Sequence, residues 1–330
     1  MNAVTIVRYV IALVALAPFV AACTTSASSP GLESAHVDFR PRRMGVAADI
    51  AKKQRLLFIA GGPGVNIYSM PDLTLKGQVS LGNFRPQGEC ADASGNVWVT
   101  TYATSTYQPN ELVKLAHDGT VLDAMETKFG FPDSCAVDST TGNLAVSENR
   151  QYSAGAVLVY AGGSGQGQPI GNPQQYSYSW DGYDTSGDLW VDGKDYNGNF
   201  ILSQCSAFSC TTIPITGGRI FLGGFVQYGR GEKTWYVADN MCGNVYGAFC
   251  IYPVSRSGAL GTPIKLTNPE GQSVGIWQGV ITNGRSRTLA GPITYVKGQR
   301  LRVAIWNFPA GGRWTNATLG YGGGAAISEK

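Results

Sequence analysis

Carboxylate and amide side chains recur at corresponding positions along this chain, and together they could bind a metal ion or a polar ligand. Each lies near the start or the end of a predicted strand: Glu89, Asp133, Glu148, Asn149, Asp181, Asp192, Asp239 and Asn240. Oxygen atoms of this kind are the ligands that Ca²⁺ prefers. Calcium is therefore the cofactor that side chains of this set could hold.

Three aromatic residues are predicted to lie beside these polar groups: Tyr102, Trp180 and Trp277. Aromatic rings among carboxylates and amides suit recognition of a carbohydrate, another small molecule or a partner protein. The three aromatics and the eight polar residues are therefore the candidate ligand-binding set.

Few residues of this chain could carry acid–base catalysis. It has two histidines, and His117 lies in Ala-His-Asp-Gly-Thr, where we predict an exposed turn residue. No Gly-x-Ser-x-Gly, Walker or His-Glu-x-x-His motif occurs. No catalytic residue is therefore assigned.

The charge distribution speaks against a nucleic-acid partner. The formal net charge is +3, and no basic stripe alternates with aromatic residues. We expect a monomer that meets its ligand through a polar, net-acidic surface.

A repeat runs through the middle of the chain and must position these side chains. Segments of the form Asp-x-x-Gly-Asn/Asp, followed by an apolar strand, recur at 92–99 and 184–191, and 138–146 carries one extra residue. A degenerate copy ends at Val237, and the matched positions lie 45–47 residues apart. A near-constant period of this size indicates a propeller or a solenoid.

Short runs of Val, Ile, Tyr, Trp and Thr alternate with turn residues after position 44, which is typical of strands. An earlier unit, with its inner strand at 45–49, and a later unit from 273 bring the total to six. We predict an all-β fold, a six-bladed β-propeller of four-stranded antiparallel blades, over residues 44–325. Residues 326–330 are predicted to be a C-terminal tail.

The repeat predicts where a binding site would lie. Segments that begin inner strands and segments that follow second strands meet at one face of a propeller, around its channel. All the candidate ligand-binding residues map to such segments, so a polar channel mouth is predicted there. The repeated aspartates Asp49, Asp92, Asp138 and Asp184 are interpreted as turn residues whose side chains bond their own backbone.

The Asp-x-x-Gly-Asn-Val-Trp-Val segment at 92–99 and its copies resemble NHL-type six-bladed β-propellers. The same broad group includes gluconolactonase-like calcium enzymes and virginiamycin B lyase-like propellers. Resemblance to the calcium enzymes, which hold their metal with a Glu, two Asn and an Asp, implies Glu89, Asn149, Asp181 and Asn240 as the candidate metal ligands. The resemblance covers about residues 44–325 and implies the fold. A histidine base of the lyase type has no counterpart at the predicted mouth.

Two functions remain open from the sequence. The favoured hypothesis is a binding or interaction module that holds its ligand at the channel mouth. The alternative, implied by the resemblance, is a calcium-dependent, lactonase-like hydrolase on the same face.

The N-terminus predicts export. Residues 1–22 carry one charge and an apolar run too short to span a membrane, which is typical of a signal peptide. Val20-Ala-Ala-Cys23 resembles a bacterial lipobox, so lipidation of Cys23 is predicted, with residues 23–43 as a flexible tether. Ordinary secretion is the alternative. The lipid would be the protein's sole membrane contact, in the periplasm or at the cell surface.

The cysteine count agrees with this prediction. Seven cysteines leave one unpaired, and lipidation of Cys23 leaves six for three disulfides in an oxidising compartment. Cys205–Cys210 and Cys242–Cys250 are predicted as local pairs. Cys90 and Cys135 could bridge adjacent blades or remain buried thiols.

Overall fold

The computed structural model describes residues 43–44, 54–105, 109–127, 130–150, 153–206, 209–245, 247–282, 287–295 and 301–329. The predicted signal peptide, Cys23 and the tether up to residue 42 lie outside these residues. The same is true of residues 45–53, where the first inner strand was expected.

The described chain is a succession of antiparallel sheets. The first sheet contains β1 (Arg43–Met44), β2 (Leu56–Gly61), β3 (Gly64–Ser69) and β4 (Leu75–Ser80) in the order β1-β4-β3-β2. The second contains β5 (Phe84–Ala91), β6 (Val97–Ala103), β7 (Asn110–Leu115) and β8 (Val121–Thr127), paired in chain order.

Two more sheets repeat this arrangement. One contains β9 (Phe131–Val137), β10 (Leu144–Asn149), β11 (Ala156–Tyr160) and β12 (Gln168–Ile170), with a 3₁₀ turn at Ala161–Gly163. The next contains β13 (Gln175–Tyr183), β14 (Leu189–Asp195), β15 (Phe200–Cys205) and β16 (Cys210–Ile213).

The last nine strands form two units joined by a short parallel contact between β20 and β25. The fifth unit contains β17 (Gly223–Gly229), β18 (Thr234–Asp239), β19 (Cys250–Val254) and β20 (Ile264–Thr267), with a 3₁₀ turn at Cys242–Asn244. The sixth contains β21 (Gly275–Ile276), β22 (Val280–Ile281), β23 (Thr288–Tyr295), β24 (Arg302–Asn307) and β25 (Gly312–Leu319). The inner strands pack on one another in cyclic order, so the fold is an all-β propeller, as predicted, with strands consistent with six blades.

Strand β26 (Gly324–Ser328) closes the circle, because it pairs along its whole length with β2. The inner strand that pairs with β2 in the first blade is therefore β26, at the C-terminus, whereas the expected inner strand at 45–49 lies outside the described residues. The boundary expected at residue 325 falls inside this strand, and four of the residues assigned to a tail or its edge, 325–328, are buried. The sequence analysis missed this strand because Gly324-Ala-Ala-Ile-Ser lacks the repeat's turn motif.

His117 takes part in this closure. Its ring is 4 % exposed, and Nδ1 lies 2.6 Å from the Ser328 hydroxyl, which donates a hydrogen bond to the carbonyl of Gly95. The prediction of an exposed turn histidine is therefore wrong. The turn of blade 2 brings His117 against the C-terminal strand, a contact between residues 211 positions apart that no local pattern reveals.

The three repeated aspartates among the described residues are turn residues, as predicted. One Asp92 oxygen accepts hydrogen bonds from the backbone N–H groups of Ser94 and Asn96, at 2.9 Å each, and Gly95 adopts a φ of +77°. A left-handed φ favours glycine because it has no Cβ. Asp138 and Asp184 make equivalent bonds, which explains why an aspartate followed by a turn glycine ends the inner strands of blades 2, 3 and 4.

Aromatic side chains of the second strands fill the space between blades. Trp190 of β14 stacks on Trp235 of β18, with ring centroids 4.4 Å apart and planes 9° from parallel. Both are almost fully buried, in a cluster with Leu202, Val226 and Val237. Such stacking adds to the free energy gained by burying the rings.

All three predicted disulfides are present. Cys90–Cys135 joins the inner strands of blades 2 and 3, with Cα atoms 5.6 Å apart. Cys205–Cys210 links β15 to β16, and Cys242–Cys250 closes the loop before β19. Three disulfides indicate an oxidising location, extracellular or periplasmic.

Replacing Trp190 by alanine should test the packing between blades. We expect Trp190→Ala to lower the free energy of unfolding by about 3–5 kcal/mol, because it leaves a large cavity beside Trp235. Trp277→Ala is the matched control: this tryptophan is 40 % exposed, and its loss should change stability by less than about 0.5 kcal/mol. Denaturant titration of both variants measures the difference.

Removing the C-terminal strand should prevent closure. A chain ending at Gly323 loses all the pairing of β26 with β2, exposing the edge of blade 1 and leaving His117 without Ser328. We expect loss of the cooperative thermal transition measured by circular dichroism. A chain ending at Glu329 should melt as the full chain does, and equal melting of the two truncated chains would contradict the role of β26.

Candidate functional site

The carboxyl-terminal halves of the inner strands surround an axial cavity of about 420 Å³. Each of the six blades contributes, so the cavity exists only when the ring is closed. Its polar and aromatic lining includes Glu89, Ser134, Trp180, Asp181, Tyr183, Tyr228, Arg230, Gln278 and Thr282. A volume of this size is typical of small-molecule sites.

Gln278 joins three blades at one level of the cavity. Its Oε1 accepts hydrogen bonds from the backbone N–H groups of Glu89, at 3.1 Å, and Ala325, at 3.3 Å. Its Nε2 donates to the carbonyl of Glu89 at 3.0 Å. The buried amide thus pairs with the Glu89 backbone much as a neighbouring strand would, and it ties blade 6 to blades 1 and 2.

Asp181 is a buried carboxyl with two donors. Its Oδ1 accepts a hydrogen bond from the Ser134 hydroxyl at 2.8 Å, and its Oδ2 accepts one from Ser147 at 3.0 Å. Burial nevertheless raises the pKa of Asp181 to about 7, because desolvation outweighs the two hydroxyl bonds. Asp181 can therefore change its charge near neutral pH.

Glu89 is a buried carboxyl with much weaker support. It is 2 % exposed, and neither carboxylate oxygen meets hydrogen-bond geometry with a donor among the described residues. Desolvation raises the pKa of Glu89 well above its usual value, and the nearby backbone N–H of Ala60 offsets part of that effect. This is the least satisfied acidic group of the cavity wall.

Aromatic residues form the rest of the wall. Trp180 and Tyr183 come from β13, and Phe225 and Tyr228 come from β17. The backbone N–H of Trp180 donates a hydrogen bond to Asp192 at 3.0 Å, and its ring packs against the core between blades 4 and 5. Tyr183 and Tyr228 are only partly buried, so their faces remain accessible.

Of the eleven predicted ligand-binding residues, the cavity is lined by Glu89, Trp180 and Asp181. The other eight lie elsewhere, because the cavity occupies the carboxyl halves of the inner strands and the predicted mouth lies at their amino ends. Two of them bond each other: Asn149 donates to Asp133 and accepts from the backbone N–H of Tyr178.

Of the remaining predicted carboxylates, Glu148, Asp192 and Asp239 are buried within the blades and Asp133 is partly buried. Desolvation raises the pKa of Asp133 and of Glu148 to about 7 each, and it raises that of Asp192 well above its usual value. Asp239 accepts hydrogen bonds from the backbone N–H groups of Leu222 and Met241, and Asp192 accepts one from that of Trp180. Asp192 and Asp239 thus hold strand ends in place.

Three further predicted residues lie at the strand ends on the same side as the predicted mouth. Tyr102 packs edge-on against Phe131, with centroids 6.4 Å apart. Asn240 donates to the carbonyl of Gly223, and the carbonyl of Trp277 accepts from Phe225.

The candidate calcium ligands do not form one coordination set. Asp181 is occupied by two hydroxyls, Asn149 by Asp133 and Tyr178, and Asn240 by Gly223. In the described part of the chain, no group of three or more His, Cys, Asp or Glu residues is arranged to hold a metal ion. The residues present therefore do not fit the predicted calcium site.

The sequence analysis missed Gln278, Tyr183, Tyr228 and Ser134. A signal existed for Gln278, which is a polar residue within the apolar inner strand Gly275-Ile-Trp-Gln-Gly-Val280. The alternation of residues along a strand places the two tyrosines on inner strands. Only the structure shows that the carboxyl ends of these strands surround the cavity.

Comparison with known proteins supports the fold. No family model matches the chain, and no curated protein matches it. Among solved structures, the nidogen/laminin complex has a chain with a TM-score of 0.60 at 12 % identity, covering 83 % of this chain and 98 % of that one. The putative TolB of Agrobacterium tumefaciens gives 0.54 at 12 %, covering 84 % and 98 %.

A protein of unknown function from Bacteroides caccae gives a TM-score of 0.59 at 9 % identity, covering 84 % of this chain and all of that one. At such identities these similarities establish a shared β-propeller fold. Within the described residues, no helix has the length and apolar character needed to cross a membrane.

Stability should depend on pH through the buried carboxyls. The pKa of Asp181 is about 7 in the folded protein and about 3.8, its usual value, in the unfolded chain. The folded protein therefore binds this proton more tightly than the unfolded chain does. The contribution of Asp181 to the free energy of unfolding is therefore largest below pH 4 and falls between pH 4 and pH 7 by at most about 1.4 kcal/mol per pH unit.

Asp181→Asn should flatten part of this dependence, because the amide does not titrate and its oxygen can still accept a hydroxyl hydrogen bond. Melting temperatures measured from pH 4 to pH 8 for the wild type and the variant test this. Parallel curves for the two proteins would show that Asp181 does not titrate in this range.

Proposed function

We propose that this protein is a non-catalytic binding module that takes a small polar ligand into its axial cavity. The observation that carries the proposal is the composition of the wall, where Trp180, Tyr183 and Tyr228 stand beside Gln278, Ser134 and Thr282. Aromatic faces pack on the apolar faces of a ligand, and the amide and hydroxyls fix its orientation.

The cavity favours a carbohydrate or a similar small molecule over a protein partner. Its volume of about 420 Å³ lies in the range of sites that enclose most of a small ligand. One solved chain of similar fold comes from a complex of two proteins, nidogen and laminin. A protein partner would bind the outer surface of the propeller and not the cavity.

The lactonase-like alternative receives no support from the described side chains. Three of its four candidate metal ligands, Asp181, Asn149 and Asn240, engage separate partners, and the described lining of the cavity contains no histidine. The resemblance of the turn motif to NHL-type propellers concerns the arrangement of the blades, and it does not imply a catalysed reaction.

Export and anchoring complete the proposal. The signal peptide and the lipobox at Cys23 would place the propeller at the bacterial cell envelope, and the three disulfides agree with that compartment. A lipid on Cys23 would hold the module at the membrane.

The binding proposal is tested with Trp180→Ala. We expect ligand-observed NMR against a panel of mono- and disaccharides to detect binding by the wild type, and the variant to weaken it about tenfold, because the ring provides a buried apolar face. Tyr196→Ala is the control, since Tyr196 is 64 % exposed and outside the cavity. Equal binding by both variants would place the ligand elsewhere.

Anchoring is tested with Cys23→Ala. The wild-type protein, expressed in a lipoprotein-processing bacterium, should fractionate with membranes and carry the mass of a diacylated N-terminal cysteine. The variant should be released in soluble form with the same propeller stability. An unmodified Cys23 in the mature wild type would overturn this part of the proposal.

A further inference from the structure

The wall of the cavity buries one carboxyl group, that of Glu89, for which the described residues supply no side-chain donor. Glu89 and Asp181 occupy the same register position, since each pairs with the central valine of its second strand, Val99 and Val191. Asp181 has two hydroxyl donors on the preceding blade, Ser134 and Ser147, which face each other across β9 and β10.

The equivalent pair on the blade preceding Glu89 is Gly324 and Ala60, which face each other across β26 and β2. Neither has a side chain that can donate a hydrogen bond. Glu89 is therefore buried in the position where its counterpart accepts two hydroxyl bonds, and both of its oxygens lack such a bond within the described chain. A buried carboxylate without partners is costly unless it is protonated or paired with a cation.

The remaining charges of the cavity favour a cation. Four acidic residues and one basic residue line it in the described structure: Glu89, Asp92, Asp181, Glu329 and Arg230. Asp92 pairs with Lys114 at 3.4 Å, and Glu329 pairs with Arg55 at 2.7 Å. Those two carboxylates are thus compensated, whereas Glu89 and Asp181 have no basic partner in the described structure, and burial raises the pKa of each, so that both favour the neutral form until a cation binds.

The aromatic wall suits an organic cation better than a metal ion. Trp180, Tyr183 and Tyr228 present rings, and ring faces attract ammonium groups. A metal ion would need several oxygen ligands, and the described carboxylates do not form such a group. An ammonium group needs hydrogen-bond acceptors, and Glu89 would supply them by turning its carboxyl, whose oxygens are now buried in the wall, toward the cavity.

We infer that the ligand of the axial cavity carries a protonated amine that pairs with Glu89, while its apolar part packs on the aromatic wall. This inference rests on the proposed function, because it assigns the chemistry of the ligand that the cavity takes. An amino sugar or an aralkylamine has the required combination of an ammonium group and an apolar face.

Two matched probe pairs test the charge requirement. Glucosamine is compared with glucose, and benzylamine with benzyl alcohol, by ligand-observed NMR titration of the full mature protein at pH 7. We expect the amine of each pair to bind at least about tenfold more tightly than its neutral counterpart, because hydrogen bonds to a buried charged group are strong.

Two variants locate the effect. Glu89→Gln should remove the preference for the amine, and Ala60→Ser should weaken amine binding by giving Glu89 the hydroxyl that Asp181 receives from Ser147. Glu111→Gln is the control, because this partly buried carboxyl lies on β7 of the same blade and outside the cavity. Melting curves confirm that each variant is folded.

The outcomes separate this inference from the proposed function. Equal binding of amine and neutral probes, lost in Trp180→Ala, would keep the cavity as the binding site and overturn the amine requirement. An amine preference that persists in Glu89→Gln would also overturn it. Failure of all four probes to bind would count against both.

Discussion

Closure of the ring by β26 is the contact on which the rest of the structure depends. A β-sheet edge left open exposes unpaired backbone groups, and a propeller avoids this by pairing its last strand with its first blade. Here the pairing from Leu56–Ser328 to Ala60–Gly324 supplies the inner strand of blade 1. The axial cavity needs walls from all six blades, so it forms only after the C-terminal residues are in place.

Burial at the seams between blades decides the state of the acidic groups. Asp181 and Glu89 sit at equivalent positions, yet one receives two serine hydroxyls and the other faces alanine and glycine. Both lose the solvation that a carboxylate has in water, which raises both pKa values. The two carboxyls differ in the hydrogen-bond donors that the preceding blade offers them. Substitutions at these donor positions can therefore change the chemistry of the cavity while the blades keep their fold.

The sequence predicts the fold well because each copy of the repeat must meet the same physical requirement. Each Asp-x-x-Gly turn needs an aspartate that binds backbone N–H groups and a glycine that adopts positive φ, so these residues mark every clear copy. The disulfides were also predictable, since the spacing of Cys205 and Cys210 fits a hairpin. Closure was not, because β26 carries neither the turn motif nor a large apolar run.

The site was predicted less well, for a reason that particular residues make clear. Asp192, Asp239 and Asn149 have the composition of a binding site, but they bind backbone and side-chain groups within their own blades and at the neighbouring strand. Composition does not reveal whether a polar group is already occupied. Whether a residue such as Gln278 or Tyr228 lines the cavity depends on its depth along the channel. That depth is set by how the six inner strands are aligned in three dimensions.

The hydrogen bonds of the Gln278 amide have a consequence for the space along the propeller axis. Because the amide bonds to the Glu89 backbone and to Ala325, it crosses the axis where an open propeller would have a passage. The axial passage is therefore narrowed at this level by a bridge between blades 6, 1 and 2. Because Gln278 also lines the cavity, a change at this residue would alter both the contact between three blades and the wall of the site.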